Sequence, residues 1–142
     1  MIDVDPLVKA LGDSLAYSAD DHSAVMWVES SVEHHFPQAN RDEVRILTAA
    51  VTEALLATGL VHVGLPRGGV DFADEDVSPE EAGRRVLDGW DADPLPAQIG
   101  LWMRASIHGH AVAAGLQRDR VLAEARDRAL EAASREGYRL EG

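Results

Sequence analysis

Apolar residues recur at three- and four-residue intervals along five parts of the chain, which is the spacing of amphipathic α-helices. These intervals predict helices over residues 4–19, 24–36, 41–58, 79–90 and 116–136. Capping signals strengthen three of the predicted starts. Ser23 is a candidate N-cap of the second helix, and Asn40 with Glu43 has the capping-box pattern. Ser78 followed by Pro79 is a strong start for the fourth helix.

Shorter patterns predict three strands. Residues 99–108 alternate between apolar and polar positions, which is the period of a half-buried strand. Two β-type runs, 60–64 and 70–73, flank a Pro/Gly loop and predict a hairpin. We expect Val61, Val63, Val70 and Phe72 to point inward. The expected outer face carries His62, Asp71, Trp102, Arg104, Ser106 and His108.

The predicted order of elements is α-α-α-β-β-α-β-α. Helices dominate, and the hairpin with the late strand can form only a small antiparallel sheet. The chain has 142 residues, of which 46% are hydrophobic, enough for one core. The sequence therefore predicts a mainly helical α+β fold in a single domain, residues 1–142.

Negative charge is concentrated in the middle of the chain. The formal net charge is −12, and residues 71–93 contain nine acidic residues against two arginines. We call residues 71–93 the acidic stretch. Such a field repels nucleic acid and anionic membranes and attracts a basic partner. Affinity for DNA depends strongly on neutralising phosphates, and no basic stripe supplies that charge here.

The ends and the composition indicate a compartment. The sequence contains no cysteine, which excludes disulfides, thiolate metal sites and cysteine nucleophiles. The first residues lack the basic and apolar regions of a signal peptide, and no apolar run is long enough to cross a membrane. We expect a cytoplasmic protein that does not bind membranes.

Part of the chain, residues 55–106, resembles a loose group of small actinobacterial proteins that have no established activity. The shared features are a helix ending in Gly59-Leu60-Val61, a hairpin with Gly68-Gly69, a helix opened by Ser78-Pro79-Glu80-Glu81-Ala82, Trp90 near its end, and the strand residues Leu101-Trp102. Some members of this group look like immunity proteins and others look winged-helix-like. The resemblance implies no catalytic residues.

The main hypothesis for function is a non-catalytic module that binds and neutralises a basic protein, as immunity and antitoxin proteins do. Trp and Arg dominate binding hot spots, and acidic residues steer basic partners. The candidate partner-binding residues are Asp71, Asp74, Glu75, Asp76, Glu80, Glu81, Trp102 and Arg104. An ordinary interpretation stays open for both groups: the acids are a solvated face, and a terminal helix buries Trp102 in the core.

Two alternatives belong to other classes of function. One is a winged-helix-like regulator that binds DNA as a dimer through the first or the last helix. The other is a metal-assisted hydrolase, because His108 and His110 could both be zinc ligands on an extended chain, with His62 on the neighbouring strand. The main hypothesis needs no cofactor, metal ion or catalytic residue, and the sequence leaves open whether the chain forms a homodimer.

Overall fold

Six helices and four short strands make up the described part of the chain, which in the computed structural model comprises residues 5–20, 23–67, 71–74, 76–90 and 102–138. The helices are α1 Pro6–Asp20, α2 Val25–His35, α3 Arg41–Ala57, α4 Pro79–Gly89, α5 Ile107–Ala113 and α6 Arg118–Arg135. The strands are β1 Ser23–Ala24, β2 Val61–Arg67, β3 Asp71–Asp74 and β4 Trp102–Ala105. The fold is mainly helical and α+β, as predicted.

Helix α3 lies at the centre of the helical part. It begins with the predicted capping box, in which the Asn40 side chain accepts from the Glu43 N–H at 2.9 Å and the Glu43 side chain accepts from the Asn40 N–H at 2.9 Å. Residues 46–52 are all buried, because α2, α4 and α6 pack around different sides of the helix. Gly59 follows the helix with a φ of +72°, a conformation that glycine adopts without strain.

The strands form one antiparallel sheet with the order β1-β4-β2-β3. The hairpin of β2 and β3 confirms the prediction, although β2 continues through Pro66 to Arg67 and so is longer than expected. Ser23 does not cap α2. Its backbone pairs with Met103 in β4, and Ala24 occupies the N-cap position without a side-chain cap bond. Pairing with a distant strand has therefore taken priority over the local capping signal.

The last predicted strand is shorter than expected. Residues 99–101 and Val70 lie outside the described residues, and β4 ends at Ala105. Ser106 then caps α5 by accepting from the Gly109 N–H at 2.9 Å, so His108 and His110 are helical rather than extended. The observed order thus contains two elements that the sequence did not predict, β1 and α5.

Side-chain contacts join the two ends of the described chain. Asp5 accepts from the Leu7 N–H at 2.8 Å as a cap of α1, and its other oxygen accepts from Arg126 of α6. The Nε2 atom of His35, at the end of α2, lies 2.7 Å from the Oδ2 atom of Asp13 in α1. A single buried apolar cluster includes residues from α1 to α4, β2, β4, α5 and α6. One domain over the full length 1–142 stays a prediction.

None of the described helices is both long enough and apolar enough to cross a bilayer.

Candidate functional site

The outer sheet face, which we define as His62, Trp102 and Arg104, is built by the register of β2 and β4. His62 pairs with Arg104, and Gly64 pairs with Trp102. Residues directly opposite each other in an antiparallel pair share a face, with their Cβ atoms about 5 Å apart. The predicted alternation is therefore correct for these strands, and the three side chains belong to one surface.

The other side of the same strands is the core side. Val61, Val63, Met103 and Ala105 are all buried, and α1 packs against β4. Their burial fixes the register, since a shift of one residue would exchange the apolar and polar faces.

The outer sheet face is accessible. His62 is exposed, while Trp102 and Arg104 are half-buried. Helix α6 packs against α3 and α1. The alternative in which the terminal helix buries Trp102 in the core is therefore wrong. Another tryptophan, Trp90, belongs to the core, where its side chain is 4% exposed.

Strand β3 brings part of the acidic stretch beside this face. Among the described strands it pairs with β2, so it is an edge of the sheet. Gly64 is paired with Trp102 on one side and with Asp74 on the other. Neighbouring strands are about 4.8 Å apart, which puts the Cα atoms of Asp74 and Trp102 about 10 Å apart. The side chains of Asp71 and Asp74, and all of Glu75, lie outside the described residues.

The register of β3 differs from the expected one. Asp74 pairs with Gly64 and so shares the face of Trp102, whereas Asp71 pairs with Arg67 and belongs to the alternate face. Phe72, opposite Pro66, is at an outer position rather than an inner one. The expectation that Asp71 joins the outer sheet face is therefore wrong.

The remaining predicted acids occupy a different environment. Asp76 is exposed before α4, and Glu80 and Glu81 lie exposed in its first turn, where Ser78 accepts from the Glu81 N–H at 3.1 Å. Carboxylates in a first turn stabilise the helix dipole, so part of their role is local. The structure does not bring Glu80 and Glu81 to the sheet, because α4 packs on α3.

Glu80 and Glu81 line a cleft between α3, α4 and α6. Its volume is about 300 Å³. The floor is apolar and includes Ile46, Ala49 and Ala50. Its polar lining residues are Glu53, Glu80, Glu81, Arg84, Arg135 and Glu136. This acidic cleft is a second place on the molecule where the predicted acids collect.

Glu53 is the residue of the cleft that sequence reasoning missed. Burial raises its pKa above the ordinary value of 4.5, and the carboxylates of Glu80 and Glu131 raise it further. Arg135, which donates to Glu53, opposes the shift. The only signal for Glu53 in the sequence is a charged residue among the alanines of α3. Its role in the cleft was not predictable, because its partners come from α4 and α6.

The three candidate metal-ligating histidines do not form a ligand set. His108 and His110 are two positions apart on α5, about 200° around a helix. His62 lies on β2. Within the residues described, no three histidine, aspartate or glutamate side chains are grouped so that they could hold a metal ion. The expectation that His62, His108 and His110 converge is therefore wrong.

The arginines of α6 are interleaved with acids and partly engaged within the fold. Arg126 contacts Asp5, and Arg135 contacts Glu53.

Comparison with known proteins found no matching family model, curated protein or solved structure. The resemblance to the actinobacterial group stays a prediction.

Proposed function

We propose that this protein is a non-catalytic protein-binding module that binds a basic protein partner, in the manner of an immunity or antitoxin protein. The observation that carries the proposal is the sheet register. It sets Asp74, on the edge strand β3, in line with the accessible Trp102 of β4, with β2 between the two strands. The proposal includes a cytoplasmic location.

The two parts of this surface have different physical roles. A half-buried Trp beside an Arg offers a large contact area with few rotamers to immobilise, which is typical of the centre of an interface. Three consecutive acids at and after the end of β3, Asp74, Glu75 and Asp76, which we call the loop acids, act at longer range. They raise the rate of encounter with a basic partner and add less to the lifetime of the complex.

The other functional classes receive less support from the fold. A DNA-binding regulator would have to overcome a net charge of −12 with arginines that are mixed with acids along α6. A hydrolase using the three histidines lacks the convergence of ligands that it needs.

The first experiment is affinity purification from native lysate with the protein as bait, followed by mass spectrometry and association kinetics with the purified partner. Substitution of the loop acids (Asp74→Asn, Glu75→Gln, Asp76→Asn) should slow association about tenfold and flatten its dependence on salt, because electrostatic steering is lost.

A matched control separates local steering from net charge. The variant Glu124→Gln, Asp127→Asn, Glu131→Gln removes the same three charges from the exposed side of α6. It should retain most of the association rate. Equal rates for the wild type and the loop variant would refute the steering role. Purification with nucleic acid and no basic protein would favour the regulator instead.

A further inference from the structure

A second exposed surface contains apolar side chains that the core does not use. Tyr17 on α1 and Met26 and Trp27 on α2 are 44%, 49% and 46% exposed. The rings of Tyr17 and Trp27 are in contact, with centroids 5.3 Å apart and planes tilted by 38°. We call these three residues the aromatic patch.

The patch faces outward because the opposite side of α2 supplies the core. Val25, Val28 and Val32 are fully buried and form the inward stripe of that helix. Met26 and Trp27 fall outside this stripe. The core therefore does not use the side chains of Met26 and Trp27. Large apolar side chains that are half-exposed together typically mark an interaction site.

Charge around the patch selects the chemistry of its partner. Helices α1 and α2 carry four acids, Asp13, Asp20, Glu29 and Glu33, against a single lysine, Lys9. Burial raises the pKa of Glu29, the neighbouring Glu33 carboxylate adds to that shift, and Arg41 at the start of α3 opposes it. A second copy of this chain would bring another −12 charge to an acidic surface, so self-association through the patch is disfavoured. A basic segment is complementary.

The patch also adjoins the sheet. Ala24, the residue directly before α2, pairs with Trp102 across β1 and β4. The aromatic patch thus begins at the β1 edge, and β3 with its acids forms the opposite edge.

We infer that the aromatic patch binds an amphipathic, lysine- or arginine-rich helix of a protein partner, with the apolar side of that helix on Tyr17 and Trp27 and its cations against the acids of α1 and α2. This inference rests on the proposed function for the basic character of the partner. It adds a contact region that lies outside the candidate residues of the sheet and the acidic stretch.

The test uses a synthetic amphipathic helical peptide with leucine on one side and lysine on the other. A peptide with glutamate in place of lysine and a scrambled peptide of the same composition serve as comparisons. The protein contains three tryptophans, Trp27, Trp90 and Trp102, so their ¹⁵N-labelled indole N–H signals report each location separately. Individual Trp→Phe variants assign the signals.

The lysine peptide should produce a saturable shift of the Trp27 signal, and the glutamate and scrambled peptides should not. Trp27→Ala should weaken binding about tenfold or more, as expected for a hot-spot aromatic. Met26→Ser should also weaken it. The control Ile107→Ser removes an apolar side chain that is 92% exposed on α5 and should leave affinity within about twofold. Melting temperatures within about 4 °C of wild type would show that the variants fold.

Three results would overturn the inference: no saturable shift of Trp27, equal binding of the lysine and glutamate peptides, or unchanged affinity in Trp27→Ala. A shift of Trp102 alone, abolished by the loop-acid variant, would overturn the aromatic patch and leave the proposed function intact. The proposed function fails separately if the purified native partner binds normally to the loop-acid variant and to Trp102→Ala.

Discussion

At the scale of the residue, the turn from β4 into α5 depends on two small residues, Ser106 and Gly109. The Ser106 hydroxyl donates to the Gly59 carbonyl at 2.6 Å and accepts from the Gly109 N–H. Gly109 lies so close to Leu60, the residue before β2, that a Cβ built on it would be 1.9 Å from the Leu60 carbonyl oxygen. The direction in which the chain leaves the sheet is therefore set by a close backbone approach.

We expect Gly109→Ala to destabilise the fold by about 3 kcal/mol or more, because the methyl group meets backbone that cannot move alone. Chemical denaturation measures the loss of unfolding free energy. Gly12→Ala is the matched control. There the new methyl group meets the end of the Arg118 side chain, which can move, so the helix propensity of alanine should make this change neutral or stabilising by up to about 1 kcal/mol. Equal effects in both variants would contradict the close approach at Gly109.

At the scale of the element, packing against α4 and α6 raises the pKa of Glu53 on α3. The raised pKa means that the folded state binds a proton more tightly than the unfolded chain. Stability linked to Glu53 is therefore fully present below pH 4.5 and is lost as the pH rises through the raised pKa. Burial outweighs the ion pair with Arg135, whose side chain is 49% exposed.

Glu53→Gln removes this titration and tests its direction. The quantity to follow is the difference in unfolding free energy, variant minus wild type. This difference should increase as the pH rises from 4.5 to neutrality and should not change with pH below 4.5. Denaturation at a series of pH values measures the difference. A difference that falls with rising pH would show that the ion pair dominates instead.

At the scale of the whole molecule, repulsion among 25 acidic residues opposes the compact state, since only 13 lysines and arginines offset them. Local contacts between distant parts of the chain, such as Asp5 with Arg126 and Asp13 with His35, compensate only in part. The excess charge therefore lowers the stability of the isolated chain.

Salt should therefore stabilise the isolated protein. Raising NaCl from about 10 mM to about 150 mM shortens the Debye length from about 30 Å to about 8 Å and screens the repulsion. We expect the melting temperature to rise over this range at neutral pH. The α6 control variant with three fewer charges should respond less. A melting temperature that falls with salt would mean that ion pairs outweigh the net repulsion.

Local signals in the sequence were sufficient for most helices and for the pleat of the sheet. The Asn40 capping box and the Ser78 cap act within one turn, so they operate wherever the chain folds. The alternation of Val61, Val63 and Met103 with polar residues likewise placed His62, Trp102 and Arg104 on one face. These three members of the outer sheet face were predictable because they depend on a two-residue period, whereas Asp71, Ser106 and His108 were not, because the β2–β3 register and the start of α5 decide their places.

Only tertiary structure decided how these pieces meet. Ser23 is part of a strand because β4 supplies backbone hydrogen-bond partners. The chain enters α5 at Ser106, which hydrogen-bonds to the carbonyl groups of Gly59 and Leu60. Glu53 gained a raised pKa from residues far away in the chain, and the contact of Tyr17 with Trp27 joins two helices. The sequence by itself determined the periodic elements and the charge. Long-range packing determined which side chains share a surface, since that depends on contacts between distant segments.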